Sequence, residues 1–199
     1  MINLKIRNLL AGLILIFFGT SASAIPVVEI SSFGSTFGQD EILGWGFTAN
    51  EDIKVTALGN FDSSQLGLNG SFEIGLWESS GTLLASTTVS GNTGTLDGYF
   101  WYEDISIIQL IAGNDYVIAS YGLGSAVNVD FQSVVTTVDS VITQNNGLFA
   151  FSNSLAFPTQ ITDAPYYAAS FQYEVPEPYA LALFGLGLFG IGFARRRKV

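Results

Sequence analysis

Between Ile25 and Glu174 the side chains equipped for chemistry are carboxylates and aromatic rings. Asp97, Glu103 and Asp104 flank the run Tyr99-Phe100-Trp101-Tyr102, and Asp40-Glu41 and Glu51-Asp52 form two further acidic pairs. Two carboxylates suffice for glycoside hydrolysis, at roughly 5 Å separation for one stereochemical outcome and about 6.5–9.5 Å for the other. Carboxylate oxygens also suit calcium, which makes Asp97, Glu103 and Asp104 the candidate calcium ligands. No acidic spacing matches an EF-hand loop, and solvated loop carboxylates are the plainer reading. Aromatic faces suit sugar rings, and Trp77, Trp101 and Tyr99 are the candidate stacking residues. In the run Phe72-Glu73-Ile74-Gly75-Leu76-Trp77, the indole falls on the face opposite Phe72, Ile74 and Leu76, beside Glu73, so Trp77 is expected to be the exposed ring. The competing expectation is that all three tryptophans are core residues.

The chain has no His and no Cys. That removes Ser-His-Asp and Cys-His nucleophile systems and ordinary zinc sites. Gly185-Leu186-Gly187-Leu188-Phe189-Gly190 matches the dinucleotide pattern G-x-G-x-x-G. That pattern needs a preceding strand and an acidic residue about 20 positions on. Only nine residues follow Gly190, none acidic, and small residues in an apolar segment explain the match. The expectation is therefore a protein that is not an enzyme and holds no cofactor, with a structural calcium and a glycoside-active carboxylate pair as the alternatives.

Charge separates the chain into three parts. Of seven basic residues, six lie near the ends, and Lys54 alone falls between Ile25 and Glu174, against sixteen carboxylates. Such a body repels nucleic acid and anionic lipid, because phosphate binding needs clustered Lys and Arg. About 150 residues can bury a sufficient core without disulfides.

The elements that must position these side chains read as strands. Ile53-Lys54-Val55-Thr56-Ala57 and Phe72-Glu73-Ile74-Gly75-Leu76 alternate with period two. Tyr116 to Tyr121 is apolar on both faces apart from Ser120, as in a buried central strand, and Ala169-Phe171-Tyr173-Val175 gives a last alternating strand. Leu68-Asn69-Gly70-Ser71 carries Asn-Gly, the strongest two-residue hairpin signal. Ser79-Ser80-Gly81-Thr82, Gly91-Asn92-Thr93-Gly94, Ala112-Gly113-Asn114-Asp115 and Asn145-Asn146-Gly147 read as further turns. Short strands at close spacing, without helical crossovers, imply an all-β antiparallel sandwich or barrel.

The order of these runs resembles a family of bacterial extracellular jelly-roll modules of unassigned function. The resemblance begins at Gly46-Phe47-Thr48-Ala49-Asn50 and continues through Glu73-Ile74-Gly75-Leu76-Trp77-Glu78 and Gly98-Tyr99-Phe100-Trp101-Tyr102. It then takes in Leu110-Ile111-Ala112-Gly113-Asn114-Asp115-Tyr116 and closes at Tyr166 to Tyr173, covering roughly residues 42 to 174. It implies a jelly-roll-like antiparallel β-sandwich over 25–174 and no established catalytic residues.

Both ends read as targeting segments. Lys5 and Arg7 precede the apolar stretch Leu9 to Phe18, and Ala22-Ser23-Ala24 supplies the small-x-small pattern of signal peptidase. Residues 1–24 are thus expected to be a signal peptide, cleaved after Ala24. At the other end, Pro176-Glu177-Pro178 forms an extended hinge, since two prolines in three residues fit neither sheet nor helix. Tyr179 to Ala194 is sixteen residues without charge, and the stop-transfer cluster Arg195-Arg196-Arg197-Lys198 follows. As a helix this stretch spans ~24 Å against a ~30 Å hydrocarbon core, so it is a short transmembrane helix with its basic end in the cytoplasm.

In that order, these parts of 175–199 resemble the PEP-CTERM sorting signal. The resemblance implies export across the inner membrane, transient anchoring, and processing by an exosortase in a Gram-negative bacterium that makes exopolysaccharide. The expected function is a non-catalytic surface or exopolysaccharide-matrix protein of the kind found in biofilms. A carbohydrate-binding module and a glycoside-active enzyme are the alternatives, and exopolysaccharide is the partner weighed beside signal peptidase and exosortase.

Overall fold

A computed structural model describes residues 24–34, 36–38, 41–122, 127–129 and 134–174. The expected leader with Ala22, the acidic Asp40, the hinge Pro176-Glu177-Pro178, the apolar stretch to Ala194 and the cluster Arg195, Arg196, Arg197 and Lys198 lie outside these residues. The described residues form fifteen strands, numbered in chain order, and no helix. Among them no helix is long and apolar enough to cross a membrane.

Two antiparallel sheets form the sandwich. One has the order β1 (Ile25–Pro26), β15 (Ala169–Glu174), β5 (Ile53–Phe61), β9 (Phe100–Leu110), β8 (Thr95–Asp97). The other has the order β14 (Gln160–Thr162), β13 (Ile142–Ala150), β4 (Ile42–Ala49), β10 (Asp115–Gly122), β6 (Ser71–Glu78), β7 (Leu83–Ser90). Two short ladders accompany them: β2 (Val28–Ser32) with β12 (Val135–Val138), and β3 (Thr36–Gly38) with β11 (Val127–Val129). The chain alternates between the large sheets at β4–β5, β5–β6, β7–β8 and β9–β10, as jelly-roll sandwiches do.

Alternation places the core. Ile53, Val55 and Ala57 are buried while Lys54 and Thr56 are half-buried. Register aligns Trp45, Ile118 and Leu76 in one row of the six-stranded sheet and Phe47 with Tyr116 in the next. These rows meet the five-stranded sheet. Phe47 packs on Phe171 at 5.2 Å between ring centroids, and the buried Trp45 donates its indole N–H to Ala169 O at 2.9 Å. Ser120 Oγ donates to Asn60 Oδ1 at 2.5 Å, and Asn60 Nδ2 donates to Phe61 O. Buried polar groups between the sheets are thereby paired with each other, as burial requires.

The expected strands over 53–57, 72–76 and 116–121 are present, the one expected over 169–175 is present as Ala169–Glu174 with Val175 outside the described residues, and β10 is central, between β4 and β6. Two turn expectations need correction. Asn69-Gly70 does not close a hairpin, because β5 and β6 belong to different sheets and the segment is a crossover. Asn145-Asn146-Gly147 is a bulge inside β13, where register against β4 shifts between Gln144 and Gly147. A two-residue hairpin stands instead at Asp97-Gly98-Tyr99-Phe100: Asp97 pairs with Phe100, and Gly98 takes φ +57°. Gly at the first of the two loop positions, followed by Tyr99 with ordinary φ, is the type II′ signal that marks it.

Candidate functional site

Three places gather the residues weighed for chemistry. The first is the tip of the β8–β9 hairpin and the loop beneath it. Tyr99 is half-buried, with its ring edge-on to Phe33 at 5.2 Å and tilted on Phe61 at 6.0 Å. Trp101 is half-buried, and its Nε1 donates to Asp62 Oδ2 at 3.0 Å. Asp62 is only 5 % exposed. Its Oδ1 also accepts from Ser64 N at 2.9 Å and Ser64 Oγ at 2.7 Å, and its Oδ2 from Gly67 N at 2.8 Å. Burial pushes this carboxyl upward, but the bonds from Ser64 Oγ, Gly67 N, Ser64 N and Trp101 favour the charged form and leave it below the ordinary 3.8. The loop is fixed to the hairpin by Gln65 Nε2 donating to Gly98 O at 2.8 Å and Asp62 N to Tyr99 O at 2.7 Å. Gln65 accepts φ +57° to do so, and Leu66 is left 86 % exposed.

The carboxylate at the centre of this clamp is saturated by donors. It organises a loop and holds Trp101 in one orientation; it has no free oxygen lone pair aimed at a ligand along the bonds described. Asp62 was not singled out by sequence reasoning. The signal was present in Asp62-Ser63-Ser64, since Asp readily bonds the backbone two residues on.

The second place corrects an expectation. Trp77 does lie on the face opposite Leu76, but it is 4 % exposed. Ile42, Trp77, Val117, Ala119 and Tyr121 form a second core on the outer face of the six-stranded sheet, flanked by Leu148 and Ala150 of the neighbouring β13 and packed against Leu155 and Phe157 of the segment that follows it. The indole lies over Gly75, where a Cβ would overlap its ring, and Phe157 meets it edge-on at 6.1 Å. Trp77 is therefore a packing residue, covered by a segment some eighty residues downstream in the sequence. Trp45 is fully buried, which leaves Trp101 as the one partly accessible tryptophan.

The third place is an open cleft of about 370 Å³ at one end of the six-stranded sheet, lined by Glu78, Ser79, Ser80, Gly113, Asn114 and Asp115 over Tyr116. Asp115 Oδ1 accepts from Thr48 Oγ1 at 2.5 Å, Glu78 Oε2 accepts from Ser80 Oγ at 3.3 Å, and Ser79 N donates to Asp115 O at 3.0 Å. Both carboxylates are exposed. They lack the apolar enclosure that a proton-donating carboxyl uses in glycoside cleavage.

The carboxylates weighed for calcium are not gathered into a site. Asp97 is half-buried and accepts from Gln172 Nε2 at 3.0 Å; Glu103 and Asp104 sit on β9 opposite Leu58 and Ala57, beyond the end of β8. Among the described residues no group of three or more carboxylates is placed to hold a metal ion. Aromatic side chains not singled out in the sequence meet elsewhere. Phe151 is 68 % exposed and packs edge-on to Phe149 at 5.8 Å, which in turn meets Tyr166 at 6.4 Å.

Comparison with known proteins bears on two segments. The model of a family described as a domain of unknown function (DUF4082) matches residues 34–169. The PEP-CTERM protein-sorting motif matches residues 174–198. No curated protein matches the chain.

Proposed function

Because the chain belongs to the DUF4082 family and carries a PEP-CTERM protein-sorting motif, which marks an exported surface protein processed by an exosortase, we propose that its sandwich is a non-catalytic component of the cell surface or exopolysaccharide matrix. The observation that carries this reading is the junction of body and tail. Strand β15 ends at Glu174, the residue where the sorting motif begins, and β15 is paired on both sides, by β1 and β5. Cleavage at Pro176-Glu177-Pro178 would leave every described strand in place. The tail then acts as an address and a transient cytoplasm-facing anchor, and the acidic body as the delivered product. Signal peptidase at Ala24 and exosortase at the tail are its processing partners. No cofactor enters this reading.

Its non-catalytic part rests on the absence of His and Cys from the sequence and on the hydrogen-bonded or exposed state of Asp62, Glu78 and Asp115. The test is deletion of residues 176–199. The expected result is an intact sandwich with altered location and none of the tail-dependent change in mass. Unchanged location, and a mass differing from the full chain's only by the deletion, would overturn the sorting assignment.

One observation favours a carbohydrate-binding reading beside it. The exposed Phe151, with Phe149 and Tyr166, offers apolar ring surface close to Ser152, Asn153 and Ser154, the mixture that sugar rings use. Under that reading Phe151→Ala lowers retention in matrix polysaccharide without moving the melting temperature. Equal retention would remove it.

A further inference from the structure

Strand β1 begins at Ile25, the residue that cleavage after Ala24 would leave as the chain's first. Its partner is β15, the strand that ends where the sorting motif begins. Register pairs Ile25 with Tyr173 and Pro26 with Gln172, so one further step sets the exposed Ala24 across from Glu174. Val27 N donates to Phe171 O at 3.0 Å, and bonded pairs recur at every second residue, so the Ile25 nitrogen also points at β15. Pro26 falls between these pairs, where no N–H is needed. Val27 and Val28 are buried in the core and fix the start of the body in this place. Tyr173 faces the same core, which turns the half-buried Glu174 to the opposite face.

We propose that cleavage after Ala24 makes a latch: the α-ammonium released at Ile25 pairs with the Glu174 carboxylate and fastens β1 to the strand that leads into the sorting motif. This latch rests on the signal-peptidase cut proposed above. Hydrolysis gives the acyl carbon of Ala24 the hydroxyl of water and leaves the nitrogen on Ile25 as an amine. That amine is mostly protonated at neutral pH, because an α-amino group titrates near 7.7–8.0 by rough reference. Before the cut the same nitrogen is a neutral amide. Charge selects the partner. Between Ile25 and Glu174 the chain has sixteen carboxylates and one basic residue, Lys54. Lys54 stands opposite Glu174 on β5, the other flank of β15. The cut therefore gives Glu174 a cation on each side. Asp139 is the competing carboxylate, since its N donates to Val27 O at 3.0 Å. Its Oδ1 already accepts from Val141 N at 3.1 Å, and it meets the Tyr173 phenol, on the core face of β15. A charged donor strengthens the hold on a strand that has only two paired residues.

The full chain, exported by a bacterial host that lacks an exosortase, should begin at Ile25 by N-terminal sequencing. An ion pair keeps the amine protonated and slows its acylation. A limiting amine-acylating reagent at neutral pH should therefore modify Ile25 about threefold faster, or more, in Glu174→Gln than in the parent, read by mass spectrometry. Glu73→Gln, on the other sheet, removes the same net charge and should leave the rate unchanged, as should Asp139→Asn. Inserting Gln-Thr before Ile25 carries the amine about 7 Å along the strand direction, so that chain should label as fast as Glu174→Gln. Glu174→Gln should then add nothing to the insertion. Equal labelling of parent and Glu174→Gln, an equal gain in Glu73→Gln, or a larger gain in Asp139→Asn would overturn the latch. A mature terminus other than Ile25 would overturn the cut and the latch together. A terminus at Ile25 with no effect of Glu174→Gln would remove the latch and leave the cut standing. If Glu174→Gln does not accumulate, the insertion decides alone, and a rate equal to the parent's would refute the pairing.

Discussion

Replacing Trp77 by Ala tests the second core on the outer face of the six-stranded sheet. The indole is 4 % exposed, rests over Gly75 and is capped by Phe157. An aromatic side chain of this class buries about 150–250 Å². At ~25 cal/mol per Å² that is about 4–6 kcal/mol of transfer free energy. Large-to-small changes of Trp in cores cost about 3–5 kcal/mol once partial collapse is included, and the lower end is expected here because the cover is a loop that can settle inward. For a body of this size each kcal/mol moves the melting temperature by about 2–4 °C, so at ~3 kcal/mol Trp77→Ala should lower it by roughly 6–12 °C. Thermal melts followed by circular dichroism measure this on the secreted protein. Limited proteolysis should show faster cleavage between Phe151 and Thr159, the segment that loses its contact. A melting temperature within about 2 °C of the parent, together with weaker retention in polysaccharide, would refute the reasoning and return the indole to a ligand-facing role.

Gly75→Ala should also destabilise, by about 1–3 kcal/mol, because its Cβ would overlap the Trp77 ring; an unchanged urea midpoint would count against that packing. Asp62→Ala removes the buried carboxylate that accepts from Ser64, Gly67 and Trp101, and loss of these charge-assisted bonds should cost about 1–3 kcal/mol, with a shift in tryptophan fluorescence. The Asp62 carboxyl is depressed on folding, so its stabilisation is full above the unfolded value near 3.8 and is lost as pH falls through the lower folded value. The acid limb of the melting profile should therefore flatten in Asp62→Asn. Burial drives the Tyr102, Tyr167 and Tyr173 phenols upward. Groups raised on folding stabilise below the unfolded value of 10.0 and lose that contribution as pH rises through the folded one, so these phenols should ionise together with alkaline unfolding, read by ultraviolet titration. A chelator should leave the melting temperature unchanged; a fall would point to a bound cation.

The all-β class was legible because period-two alternation is local: Ile53 to Ala57 and Phe72 to Leu76 carry it in five residues each. The missing His and Cys, the acidic body and the Pro-Glu-Pro tail were likewise fixed by residue type and order. Connectivity was less legible. Asn69-Gly70 carries hairpin chemistry, yet a turn signal does not say which sheet receives the next strand, and here the chain crosses over. The sites were least legible. Alternation correctly put Trp77 opposite Leu76, but whether that face meets water depends on Leu155 and Phe157, far along the chain. Asp62 and Trp101 lie 39 positions apart, and only sheet pairing brings the carboxylate to the indole. That β7 is an edge strand among the described residues is invisible in Leu83 to Ser90 themselves, because an edge is defined by what pairs beside it. Sequence determined what each strand can bury and where the protein is sent; the tertiary structure decided which faces and edges remain available, because availability depends on partners distant in the chain.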